Sequence, residues 1–227
     1  MIELRPLSEQ DMETVRVWRH GSPETLRTPY MLTKEMQQQY YRDVICNRES
    51  HTRYWGLWWT VPNITHYEYG KPVYGNPTWE FCGYGGLENI SWENGNAEIS
   101  LLIGPEYRKK GYGREAVKLF LQQAFDVMGL YSVHGECYEC GPWEFWDRLI
   151  PGSARWLPSR KFYDGSHWDS FYFTYHRRDY ENLMRDTSEG NKQAATGQEH
   201  EDVPRQADDT VRDRCGTCDY TDIVGIE

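Results

Sequence analysis

The sequence lacks any apolar run that approaches the ~18 residues needed to span a bilayer. Its first residues, MIELRPLSEQDME, also lack the basic and apolar regions of a secretory signal peptide. These two absences lead us to expect a cytoplasmic protein without a membrane partner.

An excess of basic residues is missing as well. The chain carries 25 Lys and Arg against 35 Asp and Glu, so its formal net charge is −10 at pH 7. Binding to nucleic acid requires clustered Lys and Arg that neutralise phosphates. The charge balance therefore argues against nucleic acid as a partner.

Aromatic residues are almost missing from the end of the chain. Of the 10 Trp, 17 Tyr and 7 Phe, only Tyr180 and Tyr220 lie beyond His176. The segment 177–227 holds seven basic and thirteen acidic residues and few apolar ones. Such a composition buries too little surface to offset the entropy of ordering. We expect one folded domain over residues 1–176 and an acidic, disordered tail over residues 177–227.

The patterns within residues 1–176 predict an alternation of strands and helices. Ser8 with Asp11 three residues later resembles a capping box and predicts a helix from about Glu9 to Trp18. Asp164-Gly165 is a strong turn signal between two closing strands. Strands are predicted at Ile2–Arg5, Arg53–Val61, Trp79–Leu87, Asn96–Ile103, Tyr131–Tyr138, Arg155–Tyr163 and Ser166–Tyr175, and further helices at about 33–46, 111–128 and from Pro142.

The most informative segment is the strand Asn96–Ile103 and the basic turn that follows it. Alternation places Glu98, Ser100 and Leu102 on one face of this strand. The turn GPEYRKKGYGREA then leads into a helix, whose free N–H groups and positive dipole end can hold an anion. The glycines Gly111 and Gly113 lack the Cβ atoms that would keep a phosphate off the backbone. We expect this turn to bind a pyrophosphate. The alternative is a plain strand-to-helix turn that binds no ligand.

This turn resembles the coenzyme A signature of the GNAT acyltransferase family, which is Arg or Gln, two residues, Gly, one residue, and Gly or Ala. It is matched by the run from Arg108 to Gly113. The wider run AEISLLIGPEYRKKGYGREAV is similar to the family branch with the RimJ/RimL ribosomal-protein and amino-sugar acetyltransferases. The resemblance covers residues 1 to about 176. It implies an α/β acyl-CoA acyltransferase fold, with a mixed central sheet that is flanked by helices and splays between its fourth and fifth strands.

The resemblance also implies the residues that hold acetyl-CoA, the cosubstrate. The backbone of the strand end would pair with the pantetheine arm as an added strand, and the turn would cradle the pyrophosphate. The implied residues are Leu101, Leu102, Ile103, Arg108, Lys109, Lys110, Gly111, Tyr112, Gly113 and Arg114.

The implied reaction is acetyl transfer from acetyl-CoA to a primary amine by direct attack on the thioester. It needs a neutral amine and a proton for the departing thiolate. Glu98 is the first candidate for the base, with Ser100 beside it, because it lies on the strand that anchors the cosubstrate. An ordinary ion-paired carboxylate is the alternative for Glu98, and the base would then be Glu80, Glu139 or water.

The proton donor to the thiolate is less clearly marked. Many members of the family carry a Tyr early in the helix after the fifth strand, but Trp146 takes that place here. Tyr138, Tyr163 and water are the substitutes. A thiolate whose conjugate acid has a pKa of ~8.5 can also leave without an enzyme acid.

The sequence leaves the metal content, the role of three tyrosines, the acceptor amine and the function itself undecided. The pairs Cys137/Cys140 and Cys215/Cys218 could bind zinc, although their separation exceeds ordinary zinc-ribbon spacing, and we expect no metal. Tyr67, Tyr69 and Tyr74 could line a substrate cleft or a homodimer contact. The amine could belong to a protein N-terminus, an amino sugar or a small polyamine-like molecule. The rival functions are a non-catalytic interaction protein with a vestigial pocket and an acyltransferase that modifies nucleic-acid bases.

Overall fold

A seven-stranded mixed sheet forms the centre of the protein, in a computed structural model that describes residues 1–27, 29–149 and 154–185. Within these residues the strand order is β1-β2-β5-β6-β7-β9-β8, and β3 and β4 form a separate hairpin. The strands are β1 (Ile2–Arg5), β2 (Arg53–Val61), β3 (Ile64–Glu68), β4 (Lys71–Tyr74), β5 (Thr78–Ser91), β6 (Asn96–Ile103), β7 (Ser132–Tyr138), β8 (Ala154–Tyr163) and β9 (Ser166–His176).

Helices cover both faces of the sheet. The helices are α1 (Glu9–His20), α2 (Lys34–Tyr40) with a π-helical turn at Tyr41–Ile45, α3 (Tyr112–Gln122) with a π-helical turn at Gln123–Val127, and α4 (Trp143–Asp147). The main core lies between the sheet and α3, and a second cluster lies between the sheet and α1. No helix among the described residues has the length and apolar character needed to cross a membrane.

The capping box predicted for α1 is confirmed. The Ser8 hydroxyl accepts from the Asp11 N–H at 3.2 Å, and the Asp11 carboxylate accepts from the Ser8 N–H at 2.8 Å. The helix buries Met12, Val15 and Trp18, which recur at helical spacing and form its contact with the sheet. This contact places the end of α1 beside the strand β6.

The predicted splay of the sheet is confirmed. The hairpin β3–β4 lies outside this sheet, so the fourth and fifth strands of the sheet in chain order, between which it splays, are β6 and β7. Their parallel pairing is limited to Asn96–Ser132, Ala97–Val133 and Glu98–His134. Beyond Glu98 the described part of the chain provides no strand partner for that edge of β6, because β7 turns away and pairs with β9 along its length. A gap therefore opens between β6 and β7 after Glu98.

The segment that carries Tyr67, Tyr69 and Tyr74 lies outside the cleft. It forms the hairpin β3–β4, whose tight turn at Tyr69-Gly70 has φ values of 49° and 77°. Tyr67, Tyr69 and Tyr74 are 67%, 97% and 61% exposed, and none of them lines the cleft described below. The interpretation as a cleft wall is wrong, because the hairpin stands outside the sheet.

The boundary at residue 176 is also placed too early. Residues 177–185 are helical, and Tyr180 and Leu183 are buried in the main core. The Tyr180 hydroxyl donates to Asp126 at 2.7 Å, and its ring lies 5.6 Å from that of Phe125. Because only two apolar residues dock this segment, its composition resembles that of a tail. The remainder of the predicted tail, residues 186–227, lies outside the described residues.

Candidate active site

A cleft of ≈ 590 Å³ lies in the gap between β6 and β7. Its floor is the β6 strand, and its walls come from α1, α2, β5, β7 and the segment after α1. Two classes of polar side chain dominate the lining, acidic and phenolic: Asp43, Glu88, Glu98 and Glu136, with Tyr30, Tyr40, Tyr54, Tyr84 and Tyr138. Arg19 and Arg27 are the basic residues among the described lining residues, so acidic groups outnumber basic ones.

Glu98 lies in this cleft, but its carboxylate already accepts hydrogen bonds from other residues. Arg27 donates to both of its oxygens, with a distance of 3.4 Å from Nη1 to Oε2. Asn89 Nδ2 donates to the same Oε2 at 2.9 Å. The side chain of Glu98 is 9% exposed, so these donors take the place of water. An amine could therefore bind Glu98 directly only by displacing Arg27.

Arg27 joins two of the carboxylates in the cleft. Its Nη2 atom donates to Glu98 and also to Glu136 Oε2, the second at 3.2 Å. Burial disfavours the charge of Arg27, but its hydrogen bonds to Glu98 outweigh that cost and hold its pKa above the usual value. The pair Glu98 and Glu136 is thus a site that holds a cation inside the cleft.

Glu88 is a second carboxylate on the same floor. It lies on β5 directly opposite Glu98 in the antiparallel register, and the Tyr54 hydroxyl donates to its Oε2 at 2.5 Å. Burial raises the pKa of Glu88, and the hydrogen bond from Tyr54 partly opposes this increase. Among the described residues we find no hydrogen-bond donor to its other oxygen, Oε1.

Ser100 and Tyr138 both line the cleft. Tyr138 is at the end of β7 and is 5% exposed, and burial raises its pKa against the opposing charge of Arg27. The ring of Trp146 stacks on Phe173 at 4.7 Å, so an indole lines the cleft where relatives are expected to present a phenol. Of the two phenols that the sequence offers as the acid for the thiolate, Tyr138 lines the cleft and Tyr163 does not.

The turn between β6 and α3 has the expected cradle form, but its two glycines are needed for different reasons. Gly111 begins α3 with a φ of 85°, and a Cβ atom there would meet open space. A Cβ atom at Gly113 would lie 3.1 Å from Cε2 of Phe145. Gly111 is thus required by backbone conformation, and Gly113 by the packing of α4 against α3.

The basic residues of the turn differ in whether they already have hydrogen-bond partners within the protein. Arg108 is not free to bind phosphate through its whole guanidinium, because Nε donates to the Ile103 carbonyl at 3.1 Å and Nη2 to the Ser22 hydroxyl at 2.7 Å. Lys109, Lys110 and Arg114 are exposed. The ring of Tyr112 packs at 5.4 Å from that of Trp59, so this residue anchors the helix start.

The other candidates for the base or the acid lie outside the cleft. Among the described residues, the cleft lining does not include Glu80, Glu139 or Tyr163. Cys137 is buried and donates to the Phe171 carbonyl at 3.9 Å, and burial raises the pKa of its thiol to about 12. Cys215 and Cys218 lie outside the described residues, and the described residues contain no cluster of metal-binding type.

Sequence reasoning missed Arg27, Glu88, Glu136 and Tyr54. Glu136 alternates with Cys137 on β7, and Glu88 follows a buried Leu87, so strand phase could have found these two carboxylates. Arg27 lies on an irregular segment and reaches Glu98 across 71 residues of sequence. No local pattern marks such a contact.

Comparison with known proteins agrees with the fold. A sequence model described as an acetyltransferase (GNAT) domain matches residues 2–139. A search of curated proteins gave no significant match. Mutant forms of a spermidine/spermine N-acetyltransferase from Vibrio cholerae have 17% identity and a TM-score of 0.62, covering 80% of this chain and 96% of that one. The spermidine N-acetyltransferase of Vibrio cholerae, in complex with CoA and spermine, has 16% identity and a TM-score of 0.62, covering 79% and 97%.

Proposed function

Because the chain belongs to the GNAT acetyltransferase family, we propose that it transfers the acetyl group of acetyl-CoA to a primary amine of a small polycation. Members of this family are N-acetyltransferases that use acetyl-CoA as the acetyl donor, and the chain is an enzyme of this type. The acidic cleft is the single observation that carries the choice of a polycationic acceptor.

The residues at the cradle fit acetyl-CoA. The N–H groups of Arg114 and Glu115 donate to the Gly111 carbonyl, which leaves those of Tyr112 and Gly113 without an acceptor within the helix, and Gly111 leaves open space beside them. Lys109, Lys110 and Arg114 add positive charge that is exposed at this end of the helix. The edge of β6 from Ile99 to Ile103 lacks a strand partner among the described residues and would hold the pantetheine arm. Acetyl-CoA supplies the acetyl group as an activated thioester.

The acceptor class follows from the charges in the cleft. Four carboxylates and five phenols line it, and carboxylates and aromatic rings are the groups that bind alkylammonium ions. The contact of Arg27 with Glu98 and Glu136 supports this choice, because it is an internal example of a cation held in the cleft. One of the similar structures contains spermine, and this likeness is consistent with an acceptor that has several positive charges.

The Arg27 contact also suggests how such a substrate binds. The side chain of Arg27 is 50% exposed, so its guanidinium can move into solvent. A substrate ammonium that replaces it would keep Glu98 and Glu136 paired with a cation. A neutral acceptor would leave those two carboxylates unpaired if Arg27 moved, which costs free energy in a buried site.

Thiol release from acetyl-CoA tests the proposal with three acceptors: spermidine, glucosamine and a short peptide with a free N-terminus. We expect the highest kcat/KM with spermidine. A higher value with glucosamine or the peptide would contradict the polycation proposal, and no thiol release with any amine would contradict acetyl transfer itself.

A matched pair of variants tests the role of the acidic lining. Glu136→Gln removes a carboxylate that lines the cleft, whereas Glu93→Gln removes an exposed carboxylate in the turn between β5 and β6. We expect about a 10-fold increase in the KM for spermidine in the first variant, corresponding to the loss of one charged hydrogen bond. The second variant should keep the wild-type KM.

A further inference from the structure

We propose that Glu88, with Tyr54 as its hydrogen-bond donor, accepts the proton from the substrate amine, and that Glu98 binds the cation instead. The inference rests on the proposed function and assigns the proton transfer within it. It starts from the difference between two carboxylates that lie opposite each other on β5 and β6.

The two carboxylates differ in the number of hydrogen bonds that they receive. Glu98 receives hydrogen bonds from two nitrogen atoms of Arg27 and from Asn89. These donors occupy both oxygens of Glu98, so an ammonium group reaches them only by displacing Arg27. Among the residues that the structure describes, Glu88 receives a hydrogen bond at Oε2 alone, which leaves Oε1 for an ammonium proton.

Glu88 also differs from Glu98 in the groups that surround it. Its position in the cleft floor is partly buried, and burial favours its protonated form. The titratable groups that face it come from every element that packs against it. They are Tyr54 on β2, Tyr84 on its own strand, Glu98 on β6, Arg19 on α1, Tyr40 on α2 and Arg27 on the segment after α1.

Tyr54 holds the carboxylate of Glu88 in place. Its hydroxyl bonds Glu88 Oε2 at 2.5 Å, which fixes the carboxylate and directs Oε1 away from this donor. This phenol also limits the increase in the pKa of Glu88, because it stabilises the carboxylate form. Tyr54 is thus a positioning residue for the proton acceptor.

The proton balance of the reaction is as follows. The ammonium group gives one proton to the Glu88 carboxylate and becomes a neutral amine. The amine nitrogen then forms a C–N bond with the thioester carbon, and the C–S bond breaks. The second N–H proton that the nitrogen loses goes to the thiolate, and Glu88 returns its proton to water. One proton is released to solvent per acetyl group transferred.

The test compares kcat/KM for spermidine from pH 5 to pH 9 in the wild type, Glu88→Gln, Glu98→Gln and the control Glu93→Gln. We expect Glu88→Gln to lower kcat/KM by ~10²–10⁴-fold and to abolish the acidic limb of the profile. Glu98→Gln should increase KM and keep the acidic limb, and Glu93→Gln should behave as the wild type. An acidic limb that persists in Glu88→Gln and disappears in Glu98→Gln would overturn the assignment.

The variant Tyr54→Phe tests this link through the pH profile, which would not change if Tyr54 had a purely structural role. The loss of its hydroxyl should raise the pKa of Glu88 and shift the acidic limb to higher pH, with the fold intact. An unshifted limb would contradict the Tyr54–Glu88 link.

Calorimetry of spermidine binding distinguishes this proposal from the proposed function. In the wild type the affinity should increase with pH through the pKa of Glu88, and in Glu88→Gln this break should be absent. Equal breaks in both proteins would overturn the Glu88 assignment and leave acetyl transfer intact. A wild type without turnover would overturn the proposed function, and the catalytic role of Glu88 with it.

Discussion

At the residue scale, the side chains of the cradle and the cleft divide into those whose type follows from backbone conformation and those whose type follows from contacts. Gly111 belongs to the first class, because its φ of 85° is unfavourable for any residue with a Cβ atom. Arg27 belongs to the second class, because its position is explained by Glu98 and Glu136.

The glycine at the start of α3 gives a matched prediction. Gly111 and Gly129 both have positive φ, at 85° and 67°, and both face open space. We expect Gly111→Ala and Gly129→Ala to lower the free energy of unfolding equally, by about 1 kcal/mol, in urea denaturation. Only Gly111→Ala should weaken acetyl-CoA binding in calorimetry, because only Gly111 is in the cradle. Equal affinities in the two variants would contradict the location of the pyrophosphate site.

The carboxylate of Glu88 predicts a pH-dependent change in stability. Burial raises its folded-state pKa above the ordinary value of 4.5, so ionisation of Glu88 costs stability as the pH rises through the folded-state pKa. Glu88→Gln removes this cost. We expect its Tm to exceed that of the wild type at pH 7 and the difference to shrink towards pH 4. A difference that is constant with pH would show that Glu88 is not desolvated in the folded protein.

At this scale the sequence could predict which side chains share a face of the strand β6. Alternation along β6 puts Glu98 and Ser100 on one face of the strand, and both side chains line the cleft. The partners of Glu98 could not be predicted in the same way. Arg27 is brought to it by the tertiary fold alone, and this contact changes what the carboxylate can do.

At the element scale, the irregular segment between α1 and α2 is held by one buried lysine. Lys161 of β8 is 4% exposed, and its Nζ donates to the carbonyls of Pro23, Glu24 and Leu26 at 3.1, 2.6 and 2.7 Å. A register irregularity between Leu157 and Lys161 precedes this contact. The segment that carries Arg27 is therefore tied to the far edge of the sheet.

Removal of this lysine should loosen the amine side of the cleft. Lys161→Met leaves three carbonyls without their donor, so we expect a loss of about 1–3 kcal/mol in the free energy of unfolding. The KM for spermidine should also increase, whereas acetyl-CoA affinity should stay unchanged. Lys71→Met, which alters an exposed lysine of β4, is the control. A variant with weakened acetyl-CoA binding and normal spermidine KM would contradict this role of Lys161.

The order of the elements was largely predictable, because caps, alternation and turn residues are local signals. The capping box of α1 and the Asp164-Gly165 turn, with φ values of 51° and 73°, are examples. No strand is predicted from the sequence at the hairpin β3–β4. Its five-residue strand is exposed throughout, so it lacks the alternation of buried and polar residues that marks a strand in sequence.

At the scale of the whole molecule, the extent of the folded domain and the charge of the cleft are the two properties that sequence composition described least well. Composition averages over residues 177–227 and so conceals the docking of Tyr180 and Leu183 in the main core. It also assigns −10 to the chain without showing that part of this charge is collected in one cleft.

Truncation tests the extent of the domain. A chain that ends at residue 176 loses Tyr180 and Leu183, which are 6% and 7% exposed. We expect it to lose about 3–6 kcal/mol of the free energy of unfolding, since each buried side chain contributes ~1.5–3 kcal/mol. A chain that ends at residue 185 keeps both side chains and should be the more stable of the two truncated chains by this amount in urea denaturation. Equal stability of the two truncated chains would contradict the docking of this segment.

The most direct test of the central claim is the ratio of kcat/KM for butane-1,4-diamine to that for butylamine, measured at several ionic strengths. Both acceptors have the same reacting group and carbon chain, and only the diamine carries a second cation for the acidic cleft. We predict a ratio of at least ~10, because one charged hydrogen bond contributes about 1.5–3 kcal/mol, and a decrease of this ratio with added salt. A ratio near one that is independent of salt would contradict the claim that the enzyme acetylates polycationic amines.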